Sequence, residues 1–399
     1  MIELQETTLD VVAALPGRAT RAIIDLDALA GNVAALRRLL APSTQLMTVV
    51  KGDGYGHGAV MVSRCALASG ASMLGVATVG EAAELRQHQV TAPILLLGPC
   101  DPTEVERALA LDVELMVAGS ELLAAAAAAE RLGKIARVHL KIDTGMHRYG
   151  VTPRDALAVI DRIETIDSVD LVAICTHYAA ADETEHPANI RQAAIFEGVA
   201  AQIAVRLGRP IAIHSANSAA TLRGMATGTD IARCGLAMYG LAPSSEVPLP
   251  GDLRPVMSLI SRLARVHCGE TGSGVSYGHT YIAEADERFG LIPIGYADGY
   301  RRALSNRSWV AVAGQRCPIR GNVCMDQMIA GNVPESADEG SLVGIAGPSG
   351  GGPGFDELAE LAGTIPYEMV VGINRRVPRY YVADGKVVAT LIEGKLETV

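Results

Sequence analysis

The chain reads as an α/β protein, an N-terminal (β/α)8 TIM barrel followed by a mostly β C-terminal domain. Between about residue 45 and residue 240, short β-branched or Leu-rich runs alternate with longer amphipathic or Ala-rich segments. That is the pattern of parallel strands joined by helical crossovers. About eight such units are present, the number that closes a barrel. From Pro248-Leu249-Pro250-Gly251 onward, Gly and Pro become frequent and helical periodicity fades, which points to a separate β-rich unit. On pattern alone, an open doubly wound sheet is the alternative to the barrel. The barrel is placed at 12–248, and the β domain at 249–399 together with 1–11.

Each element has its own signal. Thr20–Leu26 is strand-like, stands ahead of the barrel rhythm and is expected to pair with the C-terminal part. The barrel strands are expected at Met47–Lys51, Met73–Ala77, Ile94–Leu97, Glu114–Val117, Val138–Ile142, Leu171–Thr176, Ile211–His214 and Ile231–Tyr239. Helices are expected at Ala59–Ser69, Val79–His88, Ser120–Leu132, Arg154–Thr165 and Ala188–Leu207, with Thr152-Pro153 the clearest start signal. In the second part, Leu259–Val266, Gly290–Ile294, Trp309–Val312 and Leu342–Ala346 read as strands.

Composition narrows the function. The 399 residues call for two domains, and 49% apolar content supplies a large core. The net charge is −10 and no Lys/Arg cluster tracks a phosphate backbone, so nucleic acid is not an expected partner. Seven cysteines without C-x-x-C pairs argue against a disulfide framework or a metal site, and reduced thiols suit the cytoplasm. Met1–Asp10 carries acids where a signal peptide carries a basic and then an apolar stretch. No apolar run approaches the roughly 20 residues that span a membrane.

The chemistry is sharpest at Val49-Val50-Lys51-Gly52-Asp53-Gly54-Tyr55-Gly56-His57-Gly58. A lysine ending a buried strand is costly to keep charged, so its pKa falls, and a neutral amine can form a Schiff base with a carbonyl. Glycines let backbone come close to a bulky ligand. Together they suggest that Lys51 holds pyridoxal phosphate, with Tyr55 packed near it. A solvated strand-end lysine and a phosphate-cradling turn are the alternatives. The spacing matches neither G-x-G-x-x-G nor the P-loop, in which the lysine follows the last glycine.

Active residues of a barrel sit at the C-terminal ends of its strands. Those ends carry Lys51, then Lys141 to Arg148, then Thr176-His177-Tyr178, then His214 to Ser218, then Arg233-Cys234-Gly235-Leu236. Cationic and imidazole groups at five ends point to a site that binds an anion.

In order along nearly the whole chain, Val49–Gly58, Asp143–Gly150, Thr176–Asp182, His214–Ala219 and Arg233–Gly240 resemble the alanine racemase family. The resemblance continues through Val275-Ser276-Tyr277-Gly278, Gly295 to Gly299, Asn322-Val323-Cys324-Met325-Asp326 and Ile365-Pro366-Tyr367-Glu368. One departure is that Gly52 and Gly54 stand where alanine is usual.

The resemblance implies a pyridoxal 5'-phosphate enzyme that interconverts L- and D-alanine by two bases and supplies D-alanine for peptidoglycan. Lys51 and Tyr277 are the implied bases, with His177 contacting Tyr277. Arg233 faces the pyridine nitrogen, where related decarboxylases carry a Glu. Asn217, Ser218, the amides of Gly235 and Leu236 and the hydroxyls of Tyr55 and Tyr367 are implied to take the phosphate. Arg148 contacts the cofactor's phenolic oxygen and the substrate carboxylate, and the Met325 amide binds that carboxylate. Lys141 matches a lysine often carbamylated in this family. Tyr296, Arg302 and Tyr367 narrow the entrance. A head-to-tail homodimer, with Tyr277 and Met325 of the β domain completing the partner's site, is also implied. A broad-specificity or serine racemase, an amino-acid decarboxylase (disfavoured by Arg233) and a small pyridoxal-homeostasis protein are the rival readings.

Overall fold

The computed structural model describes Val12 and residues 15–398. Residues 1–11, assigned above to the second domain and read as lacking a signal peptide, lie outside the described residues.

Strand β1 (Arg21–Asp25) comes first and stands outside the barrel. The barrel strands are β2 (Gln45–Val49), β3 (Met73–Val76), β4 (Ile94–Leu96), β5 (Val113–Val117), β6 (Ala136–Lys141), β7 (Val169–Cys175), β8 (Ala212–His214) and β9 (Ile231–Cys234). They pair in parallel in the order β8-β7-β6-β5-β4-β3-β2-β9. Between β8 and β9 the ring closes through separate bonds, Asp230 N to Ile213 O at 2.9 Å and Arg233 N to Ala216 O at 3.0 Å. The barrel, not the open sheet, is therefore the architecture. The apolar runs fold as strands because both faces are covered, the interior by side chains and the exterior by helices.

Two expected runs are cut short. Ile231–Tyr239 is a strand only to Cys234, after which Leu236–Tyr239 turns as a 3₁₀ helix beyond Gly235. Leu259–Val266 divides into β10 (Met257–Arg262) and β11 (Arg265–Gly269), which belong to different sheets. Apolar residues continue past both corners, with Leu236–Tyr239 and Leu263 buried, so hydrophobicity alone does not mark where each strand ends.

The C-terminal part adds β12 (Gly274–Val275), β13 (Tyr281–Ile282), β14 (Glu287–Ile292), β15 (Trp309–Val312), β16 (Gln315–Pro318), β17 (Met328–Ala330), β18 (Leu342–Ala346), β19 (Arg379–Ala383), β20 (Lys386–Ile392) and β21 (Lys395–Thr398). One sheet runs β16-β15-β18-β10-β1-β19-β20-β21, and β11-β14-β17 and β12-β13 form smaller ones. Strand β1 lies in the large sheet, antiparallel to β10 and parallel to β19. Arg21–Asp25, inside the range 12–248, thus pairs with the C-terminal sheet. The helix Leu26–Arg38 follows directly, capped by the Asp25 carboxylate accepting from Ala28 N at 2.8 Å, and packs on the barrel side.

A buried arginine locks the Lys51 segment to this sheet. Arg379 on β19 is 1% exposed. It donates to Gly56 O at 3.1 and 3.2 Å, Asn374 O at 2.7 Å, Val377 O at 2.6 Å and Ile373 O at 2.7 Å. Replacement by methionine leaves buried carbonyls without donors, at about 1–3 kcal/mol each. Arg379→Met is expected to lower the unfolding free energy by roughly 3 kcal/mol or more, read as a lower urea midpoint. An unchanged midpoint would contradict the clamp.

Candidate active site

Successive strand residues point to opposite faces, so Glu114 pairs with Met116, His139 with Lys141 and Cys175 with His177. An apolar cluster of Met47, Met73, Leu95, Met116, Cys175 and Ile231 fills part of the barrel interior. Glu114, His139, His214 and Arg233 bring polar groups into the same interior, all of them buried. Above them, at the C-terminal strand ends, opens a cavity of about 840 Å³. It gathers Lys51, Tyr55, Lys141, Arg148, His177, Asn217, Ser218, Arg233, Gly235, Leu236 and Tyr367 around one space.

The expected strand Met47–Lys51 stops at Val49, and Lys51 opens the short helical turn Lys51–Tyr55 just beyond Val50. Burial pushes its amine down from the ordinary lysine range, and the nearby Arg148 cation adds to this while Glu81 opposes it. Glu81 braces the segment, accepting from Gly52 N at 2.7 Å and from Ala77 N at 2.7 Å. Gly52 lines the cavity, and the adjoining glycines also shape the turn. Gly52, Asp53, Gly54 and Tyr55 have φ of 64°, 54°, 62° and 52°. This is a left-handed turn, which costs a residue bearing a Cβ about 1–2 kcal/mol. A Cβ at Gly56 or Gly58 would collide with the Val370 carbonyl or the Tyr381 hydroxyl. The glycines thus serve the turn and its packing on the second domain.

That turn carries Tyr55 back to the cavity wall. Its ring packs 5.0 Å from Tyr239 and 6.1 Å from Tyr367. His57 stacks on Tyr239 at 4.4 Å, and its Nδ1 donates to Tyr55 O at 2.9 Å. Burial holds His57 at about 4, so it is a neutral brace. Burial also pushes the Tyr367 hydroxyl up to about 12 and the Tyr55 hydroxyl above the usual phenol range. Both stay protonated and can donate hydrogen bonds.

Arg233, on β9, spreads its guanidinium across the barrel axis. One terminal nitrogen donates to His214 Nδ1 at 2.7 Å and His214 O at 2.9 Å. The other donates to Thr176 O at 2.8 Å, His177 Nδ1 at 3.0 Å and Ser215 O at 3.1 Å. The Nε–H enters none of these bonds. Burial and the Arg233 charge hold His177 and His214 well below the ordinary imidazole range. Both are neutral, with the Nδ1 lone pair turned to Arg233 and the proton on Nε2.

Lys141 ends β6 and is 8% exposed. Burial lowers its amine to about 7, with Arg233 and Arg148 adding to the shift and Cys175 and Asp143 opposing it. Arg148 is exposed in the cavity. Its loop is fixed by the Asp143 carboxylate, which accepts from the amides of Gly145, Met146 and His147 at 3.0 Å each. At the far end, Asn217 caps the helix Ser218–Leu222 through Ala220 N at 3.0 Å, and Ser218 Oγ accepts from Gly235 N at 2.9 Å. Gly235 has room for no Cβ, because the Tyr55 hydroxyl lies 2.6 Å from that position.

Four expected site residues are not brought into this cavity by the single chain. Tyr277 is 75% exposed, Met325 53% and Tyr296 44%, and Arg302 is exposed as well. Tyr277 lines a separate cleft of the C-terminal domain with Ser276, Gly278, His279 and Cys324. Its turn is held by Asn322 Nδ2 donating to Tyr277 O at 2.7 Å and by Ser276 Oγ donating to Asn322 O at 2.6 Å. Conversely, Glu81, Glu114 and His139 are structural participants that the sequence reading passed over. A charged or imidazole residue inside an otherwise apolar strand, as at Glu114 and His139, is the signal that could have found the last two.

Comparison with known proteins identifies the family and the fold. Residues 24–243 match the family model for the alanine racemase N-terminal domain, and residues 256–381 that for the C-terminal domain. An alanine racemase of Symbiobacterium thermophilum is 41% identical over 370 residues, covering 91% of this chain and 97% of the relative. That of Thermobifida fusca is 40% identical over 366 residues, covering 90% and 96%. Among solved structures, alanine racemase from a D-cycloserine-producing Streptomyces lavendulae superposes with a TM-score of 0.87 at 39% identity, covering 92% of this chain and 98% of that one. Alanine racemase of Clostridium difficile superposes with 0.90 at 31% identity, covering 95% and 99%.

Proposed function

The chain belongs to the alanine racemase family, and we propose that it performs the family's reaction at the barrel cavity, with Lys51 and Tyr277 as its two bases. It is an isomerase that interconverts L- and D-alanine and supplies D-alanine for peptidoglycan. The observation that carries the site assignment is the convergence of Lys51, Arg148, His177 and Arg233 on one cavity. A coupled assay for D-alanine formed from L-alanine with added pyridoxal phosphate tests it directly. Absence of turnover would refute the reading.

The residues present fit pyridoxal phosphate. Arg233 has an Nε–H left over for an acceptor such as a pyridine nitrogen, and a guanidinium does not give up its proton. Lys51 supplies an amine disposed to neutrality by burial. Asn217, Ser218, Gly235, Leu236, Tyr55 and Tyr367 offer hydroxyls and amides for a phosphate at the last barrel loops, where such groups commonly bind. When bound, the cofactor holds the substrate amine covalently and delocalises the electron pair left on Cα. Arg233 would donate to a ring nitrogen without protonating it, which would leave that electron sink weak and the proton transfers to positioned bases.

Lys51 Nζ serves one face of Cα and the Tyr277 hydroxyl the other. Because Arg233 occupies the His177 lone pair, His177 has an Nε2–H to offer a tyrosinate oxygen. Arg148 and the Met325 amide hold the substrate carboxylate, and Tyr296, Arg302 and Tyr367 narrow the way in. Tyr277 lies outside the cavity of its own chain, so the reading requires a homodimer in which each β domain closes the partner's barrel. No helix of the described residues is long and apolar enough to cross a membrane. All seven cysteines are free, which supports a cytoplasmic location.

Lys141 is suited to carbamylation. Carbon dioxide reacts with a neutral amine, and an amine at about 7 is largely neutral at pH 8. The resulting anion would lie beside Arg148 and orient it. A carbamate carbon signal is expected after loading with ¹³C-bicarbonate at pH 8, fading as the pH falls below 7 and absent in Lys141→Arg. A wild-type protein without the signal would remove the assignment.

A further inference from the structure

A continuous line of buried side chains runs down the barrel axis from Arg233, away from the cavity. Arg233 donates to His214 Nδ1 at 2.7 Å, His214 Nε2 meets His139 Nδ1 at 2.9 Å, and His139 Nε2 meets Glu114 Oε2 at 2.8 Å. Beyond it, the Arg137 Nε–H donates to Glu114 Oε1 at 2.8 Å. His139 and His214 are fully buried, and Glu114 is 6% exposed, so none of these groups can readily exchange its partner for bulk water.

The proton positions along this line follow from its two ends. The guanidinium only donates, so the facing His214 Nδ1 must be a lone pair. His214 then carries its proton on Nε2 and donates it, so His139 Nδ1 is also a lone pair. His139 in turn carries its proton on Nε2 and needs an acceptor there. An ionised carboxylate accepts only. Burial alone would raise the Glu114 carboxyl, but His139 and Arg137 hold it below the usual range. Both ends therefore demand the same orientation of every bond between them.

From this we infer that Glu114 and His139 are positioning residues, a relay that fixes the His214 tautomer and thereby holds the Arg233 guanidinium in place for the ring nitrogen. The inference rests on the proposed contact of Arg233 with pyridoxal phosphate. If Glu114 could donate, His139 could reverse, His214 would carry its proton on Nδ1, and two donors would face each other at Arg233. The guanidinium would then lose a charge-assisted bond and its fixed plane.

The test uses full-length protein with ¹⁵N-labelled histidine, with and without pyridoxal phosphate. Wild type is expected to show His139 and His214 both protonated at Nε2. Glu114→Gln can turn its amide nitrogen toward His139, because its single carbonyl oxygen is also sought by Arg137. It is expected to give a second His214 signal protonated at Nδ1 and to weaken pyridoxal phosphate binding about tenfold, the scale of one hydrogen bond to a charged group. Arg137→Gln leaves the carboxylate and its bond to His139, the larger of the two influences that lower it, in place and is expected to change neither readout. If Glu114→Gln does not fold, His139→Phe asks the same question, with loss of the fixed His214 tautomer and the same weakening expected. Unchanged His214 signals and unchanged cofactor affinity in the variant would overturn the relay alone. Wild-type protein that binds no pyridoxal phosphate would overturn the underlying reading as well.

Discussion

Lys51→Ala is expected to abolish racemisation, lowering kcat/KM by about a thousandfold or more, and to remove the visible absorbance that pyridoxal phosphate gains when tied to the protein. On the proposed reading, Lys51 would have two duties at one nitrogen, holding pyridoxal phosphate at rest and taking or returning the Cα proton during turnover. A thousandfold loss corresponds to about 4 kcal/mol of transition-state stabilisation, the scale expected from losing a positioned base.

The fold has no need of this side chain. Lys51 is half-buried and opens the turn two residues beyond β2, whose backbone is secured independently, by Val50 N donating to Gly75 O at 2.9 Å and by Glu81 accepting from Gly52 N. The variant should therefore remain folded and bind the phosphate end of the cofactor. Added methylamine, a free amine small enough for the cavity, should restore part of the activity. Turnover near the wild-type rate in Lys51→Ala would sink the assignment, as would an unchanged spectrum.

How much of this was legible in the sequence depends on what each feature is made of. Barrel strands were legible where short β-branched or Leu-rich runs are bounded by turn residues, as at Met47–Lys51 and at Ile94–Leu97 between Pro93 and Gly98. They blurred where a chain corner is itself buried, as after Cys234 and at Leu263. The cavity residues were legible because polar chemistry at the ends of apolar strands is costly unless used. Glu114 and His139 escaped notice because they sit one turn of the pleat deeper, where an isolated charge looks like a strand boundary. The turn made by the glycines around Asp53 was not legible, because glycine content does not say which freedom is being used. Only the backbone angles separate a left-handed turn from close approach to a ligand. Tyr277 is a different case. Nothing in the geometry of one chain joins it to Lys51, so its role came from family resemblance.

That separation makes the sharpest test. Tyr277→Phe is expected to reduce proton removal from L-alanine far more than from D-alanine, by about a hundredfold or more, because it strips a base from one face of Cα and leaves Lys51 on the other. Solvent deuterium incorporation measured from each enantiomer reads the two faces separately. Equal losses in both directions would count against a one-face role. The same residue then tests the dimer. Lys51→Ala and Tyr277→Phe are each defective alone. A hybrid dimer of the two has one site with both lesions and one with neither, provided Lys51 and Tyr277 come from different chains. Random mixing makes half the dimers hybrids, each with one intact site, so about one quarter of wild-type activity should return. If both bases came from one chain, no pairing of these variants could assemble an intact site and mixing would restore nothing. The exposed position of Tyr277, in a cleft apart from the cavity of its own barrel, is the physical ground for expecting recovery.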